Sequence, residues 1–281
     1  MNNIIELLRT KSLFYELMRE KHKTLYAYMH LFDLALNELE IKYTLYAGSQ
    51  LAQRRMGEIL PYDDDIDLAI SEIDYKKLTQ EKTLYRLASE FGIILTRNLS
   101  KNPASAHYRD HHKLFLVEHI PTELYGKHLT ISYPSMNYTL ECETDKDEPL
   151  HSVKRKDCLK PGVGLFLHRK QGKNLYYSHY GRRESIIPVE SYDNKKLQKF
   201  GPLFLPSTEY NMWIKEGCDV DDVPYVIFPL HDDDINKKCK LQKKRYTLTE
   251  QEVDFIKNFS FNISFDELEI DKYKKTINSS R

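Results

Sequence analysis

Apolar and polar positions along the 281-residue chain follow a helical period first and a mixed pattern afterwards. Between residues 4 and 39, apolar side chains recur every three or four positions, as at Leu25, Met29, Phe32 and Leu36. This spacing places them on one face of a helix. The segment therefore predicts two N-terminal helices that bury one side.

The chain after residue 40 predicts alternating strands and helices. Strands are expected at 43–47, 64–70 and 93–96, separated by helices at 50–56 and 75–91. The pattern is weaker in the later part of the chain, where it predicts two or three strands between 113 and 140, a strand at 163–168 and a helix at 207–216. A last helix is expected from Thr249 onwards, where Thr249 and Glu252 suit a capping box. The order predicts an α+β fold, with a small mixed sheet and flanking helices.

The boundaries of domains are less clear, because no low-complexity linker or internal repeat divides the chain. We expect N-terminal helices over residues 1–40, a catalytic domain over 41–235, and a C-terminal helical extension over 236–281. The tail after Asp271 is polar, as is typical of a frayed terminus.

Charge and composition exclude several classes of protein. The 42 basic and 42 acidic residues cancel, so no global field favours nucleic acid. Glycine is scarce, and neither a dinucleotide-binding fingerprint nor a P-loop occurs. The cysteines have no metal-ligand spacing and predict free thiols in a reducing compartment. With no signal-like or membrane-spanning apolar run, the expected location is the cytoplasm.

The segment most informative about chemistry is residues 47–70, AGSQLAQRRMGEILPYDDDIDLAI. Side chains alternate along a strand, so Asp63, Asp65 and Asp67 share one face, and small Ala69 leaves room beside them. The other face is mainly apolar and belongs against the core. Carboxylates at this spacing can hold hard cations, which assist phosphoryl transfer. The alternative, a solvated turn capped by acids, does not explain the apolar face.

Gly48 and Ser49 stand between the first strand and the helix that follows it. Backbone N–H groups at a helix N-terminus bind phosphate readily, so this pair is a candidate substrate-binding loop. A plain turn is the alternative for the pair alone. Its position just before the acidic strand favours a functional role.

Together these residues resemble the signature of the LicD/fukutin family of the nucleotidyltransferase superfamily, approximately G-G-T-L-L-G-x-x-R-x-x-G-x-I-P-W-D-D-D-I-D. Laid without gaps, the signature falls on Gly48, Ser49, Leu51, Arg55, Pro61, Tyr62 and the acids from Asp63 to Asp67. Ala47 replaces the first glycine, and the internal glycine is displaced to Gly57. A weaker similarity covers residues 186–216.

The resemblance implies a nucleotidyltransferase-like fold and a Mg²⁺- or Mn²⁺-dependent transferase. Such enzymes move phosphocholine or a polyol phosphate from a CDP-linked donor to a glycan or glycolipid acceptor, and contact with a membrane surface would follow from a lipid-linked acceptor. By resemblance, Asp65 and Asp67 bind the catalytic metal and Asp63 supports them. Arg55 either lies near the donor or braces the acidic strand through a carboxylate.

A further carboxylate on a neighbouring strand is implied by the resemblance, but the sequence has no clear copy of it. Glu143, followed by Glu141, is the first candidate, because the two lie on one face of a predicted strand. We expect Glu143 within about 6 Å of Asp65 or Asp67, close enough to share an ion. Asp157 competes with them, and in the strand at 163–168 Gly164 stands where an acid would be expected.

Other charged clusters have both a functional and a structural interpretation. The basic stretch 151–183, including Arg155, could bind the donor phosphates or form a solvated surface. The histidines of the loop at 97–113 could approach the donor or be merely exposed; they are His107, His111 and His112. The run Asp232–Asp234 lacks the strand alternation and predicts a loop or a helix cap.

Three alternatives to the phospho-alcohol transferase remain at the level of sequence. One is a nucleotidyltransferase that moves NMP onto a small molecule. The second is a glycosyltransferase that uses a D-x-D pair, which the early position of the acids disfavours. The third is a catalytically inactive binding relative, for which loss of the third acid would be the mark.

Overall fold

The computed structural model describes eleven stretches of the chain, namely residues 3–97, 111–116, 129–133, 138–144, 151–153, 163–179, 183–209, 225–227, 230, 232–241 and 246–273. Helices within them are α1 (Ile4–Arg9), α2 (Leu13–Glu38), α3 (Ala47–Met56), α4 (Glu72–Leu78), α5 (Glu81–Phe91), α6 (Val189–Asp193), α7 (Asp233–Lys238) and α8 (Glu250–Lys257). Strands are β1 (Thr44–Leu45), β2 (Ile66–Ser71), β3 (Ile93–Arg97), β4 (His111–Leu116), β5 (Leu129–Tyr133), β6 (Tyr138–Thr144), β7 (His151–Val153), β8 (Val163–Gln171), β9 (Asn174–His179), β10 (Arg183–Pro188), β11 (Lys196–Phe200), β12 (Leu203–Ser207), β13 (Val226–Ile227) and β14 (Tyr246–Thr247).

A mixed sheet runs through the described residues in the order β1-β2-β8-β4-β3-β7-β6-β5, and β9 and β10 extend it from β8. Strand β2 pairs antiparallel with β1 and parallel with β8. Helices flank this sheet, so the chain has the mixed α+β architecture that its pattern predicts.

Helix α2 follows the predicted apolar period closely. Its buried positions include Phe14, Met18, His22, Leu25 and Met29, which line one face. Burial of that face against the rest of the protein stabilises a helix of 26 residues beyond its own propensity.

Three predicted elements differ from the structure. The helix expected at 75–91 is two helices, α4 and α5, because α4 ends at a cap on Thr79. The first strand pairs only at Thr44–Leu45, since Tyr46 already caps α3. The helix expected at 207–216 lies mostly outside the described residues, and Ser207 belongs to β12 instead.

One hydrophobic core joins the two ends of the chain to the sheet. It contains Leu8 of α1, Phe32 of α2, Leu68 of β2, and Ile256 of α8. The predicted capping box at Thr249 and Glu252 is present and fixes the start of α8. The terminal segments therefore share one core with β2, which carries part of the acidic run.

Candidate active site

The acidic run alternates between two environments, as its sequence predicts. Asp63, Asp65 and Asp67 are partly exposed, whereas Asp64 is buried. Paired strand structure begins only at Ile66, two residues later than expected, because β8 pairs with β2 from that residue onwards. The first two acids of the predicted face therefore precede the ladder.

Ala69 lies elsewhere than expected. Its side chain is fully buried in a small aromatic cluster with Tyr46, Phe166 and Tyr177. Aromatic rings fill the space beside it, so Ala69 does not leave open room next to the acids. The small side chain is explained by packing against these rings.

Asp64 points to the side opposite the candidate metal ligands. Its Oδ2 accepts a hydrogen bond from the backbone N–H of Asp232 at 2.8 Å. Asp232 also caps α7 through Asp234 and Ile235, and it pairs with Lys21 of α2 at 3.3 Å. The helix-cap interpretation of the second acidic run is thus confirmed.

Asp63 carries an unfavourable charge in this arrangement. Partial burial raises the pKa of its carboxyl well above the usual value, and the neighbouring carboxylates of Asp65, Asp64 and Asp67 raise it further. A hydrogen bond between the carboxyls of Asp63 and Asp65 acts in the same direction. A bound cation would offset the repulsion between these carboxylates.

The start of helix α3 lies against these acids. A Cβ added to Gly48 would lie 3.2 Å from Oδ2 of Asp63, so glycine allows the carboxylate to approach the helix closely. The Ser49 hydroxyl accepts a hydrogen bond from the backbone N–H of Asp67 at 2.9 Å. The N–H of Ser49 itself donates to the carbonyl of Tyr46 at 3.0 Å. Ser49 therefore fixes β2 to α3, and its direct contact with substrate stays a prediction.

Ala47 adopts a backbone angle that glycine favours. Its φ is +46°, in the left-handed region. This conformation turns the chain from β1 into α3, and it explains why a glycine suits this position in the signature that the segment resembles.

Arg55 stacks on an aromatic ring. Its guanidinium carbon lies 4.0 Å from the ring centre of Tyr225, a cation–π contact. It is also close enough to lower the pKa of Tyr62, which burial and the charge of Asp63 raise. The hydroxyl of Tyr62 is buried without a hydrogen-bond partner among the described residues. Arg55 as a donor-binding residue stays a prediction.

His22 is a site residue that the sequence analysis did not identify. Its Nε2 donates to the backbone carbonyl of Asp63 at 2.8 Å, and burial lowers the pKa of the imidazole to about 4. The available signal was a histidine on the apolar face of α2, between Met18 and Leu25. Such a buried histidine needs a hydrogen-bond partner, but the sequence does not reveal which one.

The neighbouring strand β8 does not supply the further carboxylate at the position where it was expected. Gly164 of β8 pairs directly with Asp67, at the position where an acid was expected. Glu143 and Glu141 lie on β6, which four strands separate from β2 in the sheet order. That is about 24 Å along the sheet at the usual strand spacing. Their side chains lie outside the described residues, so Glu143 stays a prediction.

Several other candidates also lie outside the described part of the chain. These are Arg155, Asp157 and His107, while only the backbone of His111 and His112 is described, in β4. Arg155 as a donor-binding residue therefore stays a prediction, while Arg169 and Lys170 of the same basic stretch are exposed in β8.

The carboxylate oxygens of Asp65 and Asp67 are the type of ligand that a hard cation prefers. Among the described residues, no three His, Cys, Asp or Glu side chains are grouped tightly enough to hold a metal ion alone. Mg²⁺, however, usually takes one or two carboxylates and completes its shell with water and substrate phosphates. Asp65 and Asp67 supply that number, and the repulsion at Asp63 is what a cation would relieve.

Comparison with known protein families gives a match. Residues 40–157 match the family described as LicD/FKTN/FKRP, nucleotidyltransferase domain. No curated protein matches the chain. Within the described residues, no helix is both long and apolar enough to cross a membrane. The matched stretch contains α3, the whole acidic run and β2, which are the elements of the candidate site. Over residues 40–157, this chain is therefore similar to the LicD/fukutin-type family.

Proposed function

We propose that this protein is a metal-dependent transferase that moves a phospho-alcohol group, phosphocholine or a polyol phosphate, from a CDP-linked donor to a glycan or glycolipid acceptor. The observation that carries the proposal is the acidic run, in which Asp65 and Asp67 are partly exposed while Asp64 and Ile66 are buried. The family match supports a transferase that modifies glycans. The cytidine base and the acceptor come from the family resemblance.

In the proposed reaction, the acceptor hydroxyl oxygen forms a bond to the β-phosphorus of the donor. The bond from that phosphorus to the bridging oxygen breaks, CMP leaves, and the hydroxyl proton passes to a base. A bound Mg²⁺ or Mn²⁺ would neutralise charge on the phosphoryl oxygens. The base is not assigned to a described side chain: Glu143 is the prediction from sequence, its strand β6 lies about 24 Å from β2 along the sheet, and unchanged turnover of Glu143→Gln would remove it from that role.

The residues of this chain would contribute mainly by positioning. Asp65 and Asp67 would hold the cation, and Asp63, which lies against the start of α3, would support them. The Ser49 hydroxyl would keep Asp67 in place by accepting a hydrogen bond from the backbone N–H of Asp67. Gly48 and Arg55 would face the donor phosphates, with Arg155 as a further cation. Fixed groups of this kind contribute to phosphoryl transfer without themselves reacting.

A transfer assay tests the proposal. Purified protein would be incubated with CDP-choline or CDP-ribitol, Mn²⁺ and glycan acceptors, and the products would be separated. Release of CMP with a phospho-alcohol on the acceptor is the expected result. A nucleotide-tagged acceptor would instead establish the NMP transferase. Stabilisation by a UDP-sugar, and not by CDP ligands, in a thermal-shift series would contradict the cytidine donor.

The inactive binding relative is the second candidate, and one observation favours it. Gly164 lies opposite Asp67, where a further carboxylate would complete the charge around two ions. An inactive protein would bind CDP with Mn²⁺ and yet release no CMP with any acceptor. The same assay, combined with the thermal-shift series, separates these two functions.

A further inference from the structure

Among the described residues, the paired ladder of β2 begins after the first three acids of the run. Pairing with β8 begins at Ile66, so the ladder does not determine the orientation of Asp63, Asp64 and Asp65. Their alternation must therefore be held by other contacts. Two segments outside residues 40–157 supply such contacts: helix α2 and the residue that caps α7.

Helix α2 holds the run through His22. The imidazole Nε2 lies 2.8 Å from the carbonyl oxygen of Asp63, and the residue is 1% exposed. Phe261 packs edge-on against the ring, with the centroids 4.9 Å apart. Because a carbonyl oxygen only accepts, Nε2 carries the hydrogen, and the packed ring directs that donor at one atom.

A second contact holds the residue that follows Asp63, namely Asp64. The carbonyl of Asp63 and the N–H of Asp64 belong to one peptide group, and that N–H donates to Oδ1 of Asp63 at 3.1 Å, so the orientation of the peptide bears directly on the Asp63 carboxylate. The bond from Asp232 N–H to Asp64 Oδ2, at 2.8 Å, fixes the buried side chain. His22 fixes the peptide itself. Together the two anchors keep Asp63 and Asp65 on the side away from Asp64.

We infer that His22 is a positioning residue, which sets the direction of the metal-binding carboxylates through its hydrogen bond to the Asp63 carbonyl. The inference rests on the proposed function, because it requires a cation at the acidic run. Groups that orient metal ligands in this way typically change metal affinity by about 10- to 100-fold when they are removed.

The test compares variants by Mn²⁺ binding, measured from the free-ion signal in electron paramagnetic resonance. His22→Leu removes the donor, whereas His22→Gln places an amide nitrogen near the position of Nε2. We expect binding about tenfold or more weaker in His22→Leu, and within about threefold of wild type in His22→Gln. Circular dichroism confirms that each variant is folded.

His168 provides a matched control for loss of a buried histidine. It is fully buried in β8, donates from Nδ1 to the carbonyl of Phe166 at 3.1 Å, and has a pKa lowered to about 4, as His22 has. His168→Leu should lower stability yet leave Mn²⁺ affinity within about threefold of wild type. Should His22→Leu not fold, His22→Asn replaces it, because its shorter amide does not reach the carbonyl.

Two results would overturn the inference alone: a folded donor-free variant that binds Mn²⁺ like wild type, or an equal loss of affinity in His168→Leu. A wild-type protein that binds no Mn²⁺ at millimolar concentration would overturn the proposed function and the inference with it. The two failures are thus distinguished in one series of measurements.

Discussion

At the scale of single residues, Ala47 shows how a departure from the family signature is accommodated. The sequence places alanine where the signature has glycine, and this raised the question of whether the loop before α3 keeps its shape. The structure keeps the left-handed turn at this residue, with φ at +46°. An L-residue with a side chain pays about 1–2 kcal/mol for that conformation.

Ala47→Gly should therefore increase the free energy of unfolding by about 0.5–1 kcal/mol, because the relief of strain exceeds the added entropy of glycine in the unfolded chain. Urea unfolding measures the change. Ala52→Gly is the control: this alanine is fully buried inside the same helix, so its replacement should lower stability by about 1 kcal/mol or more. Equal losses in both variants would contradict the strain at residue 47.

Asp63 and Asp64 are adjacent in the chain but differ in their effect on the apo protein. Burial and neighbouring carboxylates raise the pKa of Asp63, so the folded state binds a proton there more tightly than the unfolded state. Its charged form therefore destabilises the fold at pH 7, and this effect disappears as the pH falls towards the unfolded value of about 3.9.

Asp63→Asn should accordingly raise the melting temperature in EDTA at pH 7, and the gain should shrink as the pH approaches 4. Asp64→Asn should lower the melting temperature by contrast, because it weakens a charge-assisted hydrogen bond to Asp232. Differential scanning calorimetry at several pH values checks both. A gain from Asp63→Asn that is independent of pH would show that charge is not its cause.

At the scale of elements, the hairpin of β11 and β12 is held against α2 by a glycine. Gly201 lies in the turn with φ at +61°, its N–H donates to the carbonyl of Gly57 at 2.6 Å, and a Cβ there would overlap the ring of Tyr26. The hydroxyl of Tyr26 in turn accepts from the N–H of Ile59, just before the acidic run. This glycine is required by a close approach of two elements.

Gly201→Ala should lower the free energy of unfolding by about 3 kcal/mol or more, since overpacking adds to left-handed strain. Gly172→Ala is a matched control in the β8–β9 turn: φ is +60°, yet nothing lies within 4 Å of the added Cβ. Its cost should be about 1 kcal/mol, from strain alone. Similar losses in both variants, measured in urea, would contradict the packing of Gly201 on Tyr26.

The sequence predicted those parts of the elements that depend on local pattern. The apolar period of α2, the alternation of Asp63 to Ile66 and the caps at Asp232 and Thr249 follow from nearby residues. The start of β2 at Ile66 does not, because it depends on where β8, a distant segment, begins to pair. The environment of Ala69 depends in the same way on aromatic residues brought together by the fold.

At the scale of the whole molecule, the terminal segments are part of the site's support. Helix α2 contributes His22 and Lys21, while the residues around α7 contribute Asp232. From sequence, helix α2 was expected outside the catalytic domain, and Asp232 near the end of that domain. These contacts join residues 41 to 211 positions apart and carry no local pattern, so only the structure shows that they meet at the acidic run.

Asp65 and Asp67 are proposed to hold a divalent cation for phosphoryl transfer, and Mn²⁺ binding measured by electron paramagnetic resonance decides whether they do. Wild-type protein should bind Mn²⁺, with affinity raised by CDP, and Asp65→Asn and Asp67→Asn should each lose most of it while they remain folded. Asp234→Asn, an exposed acid at the start of α7, is the control and should bind like wild type. Unchanged Mn²⁺ affinity in both Asp65→Asn and Asp67→Asn would contradict the account.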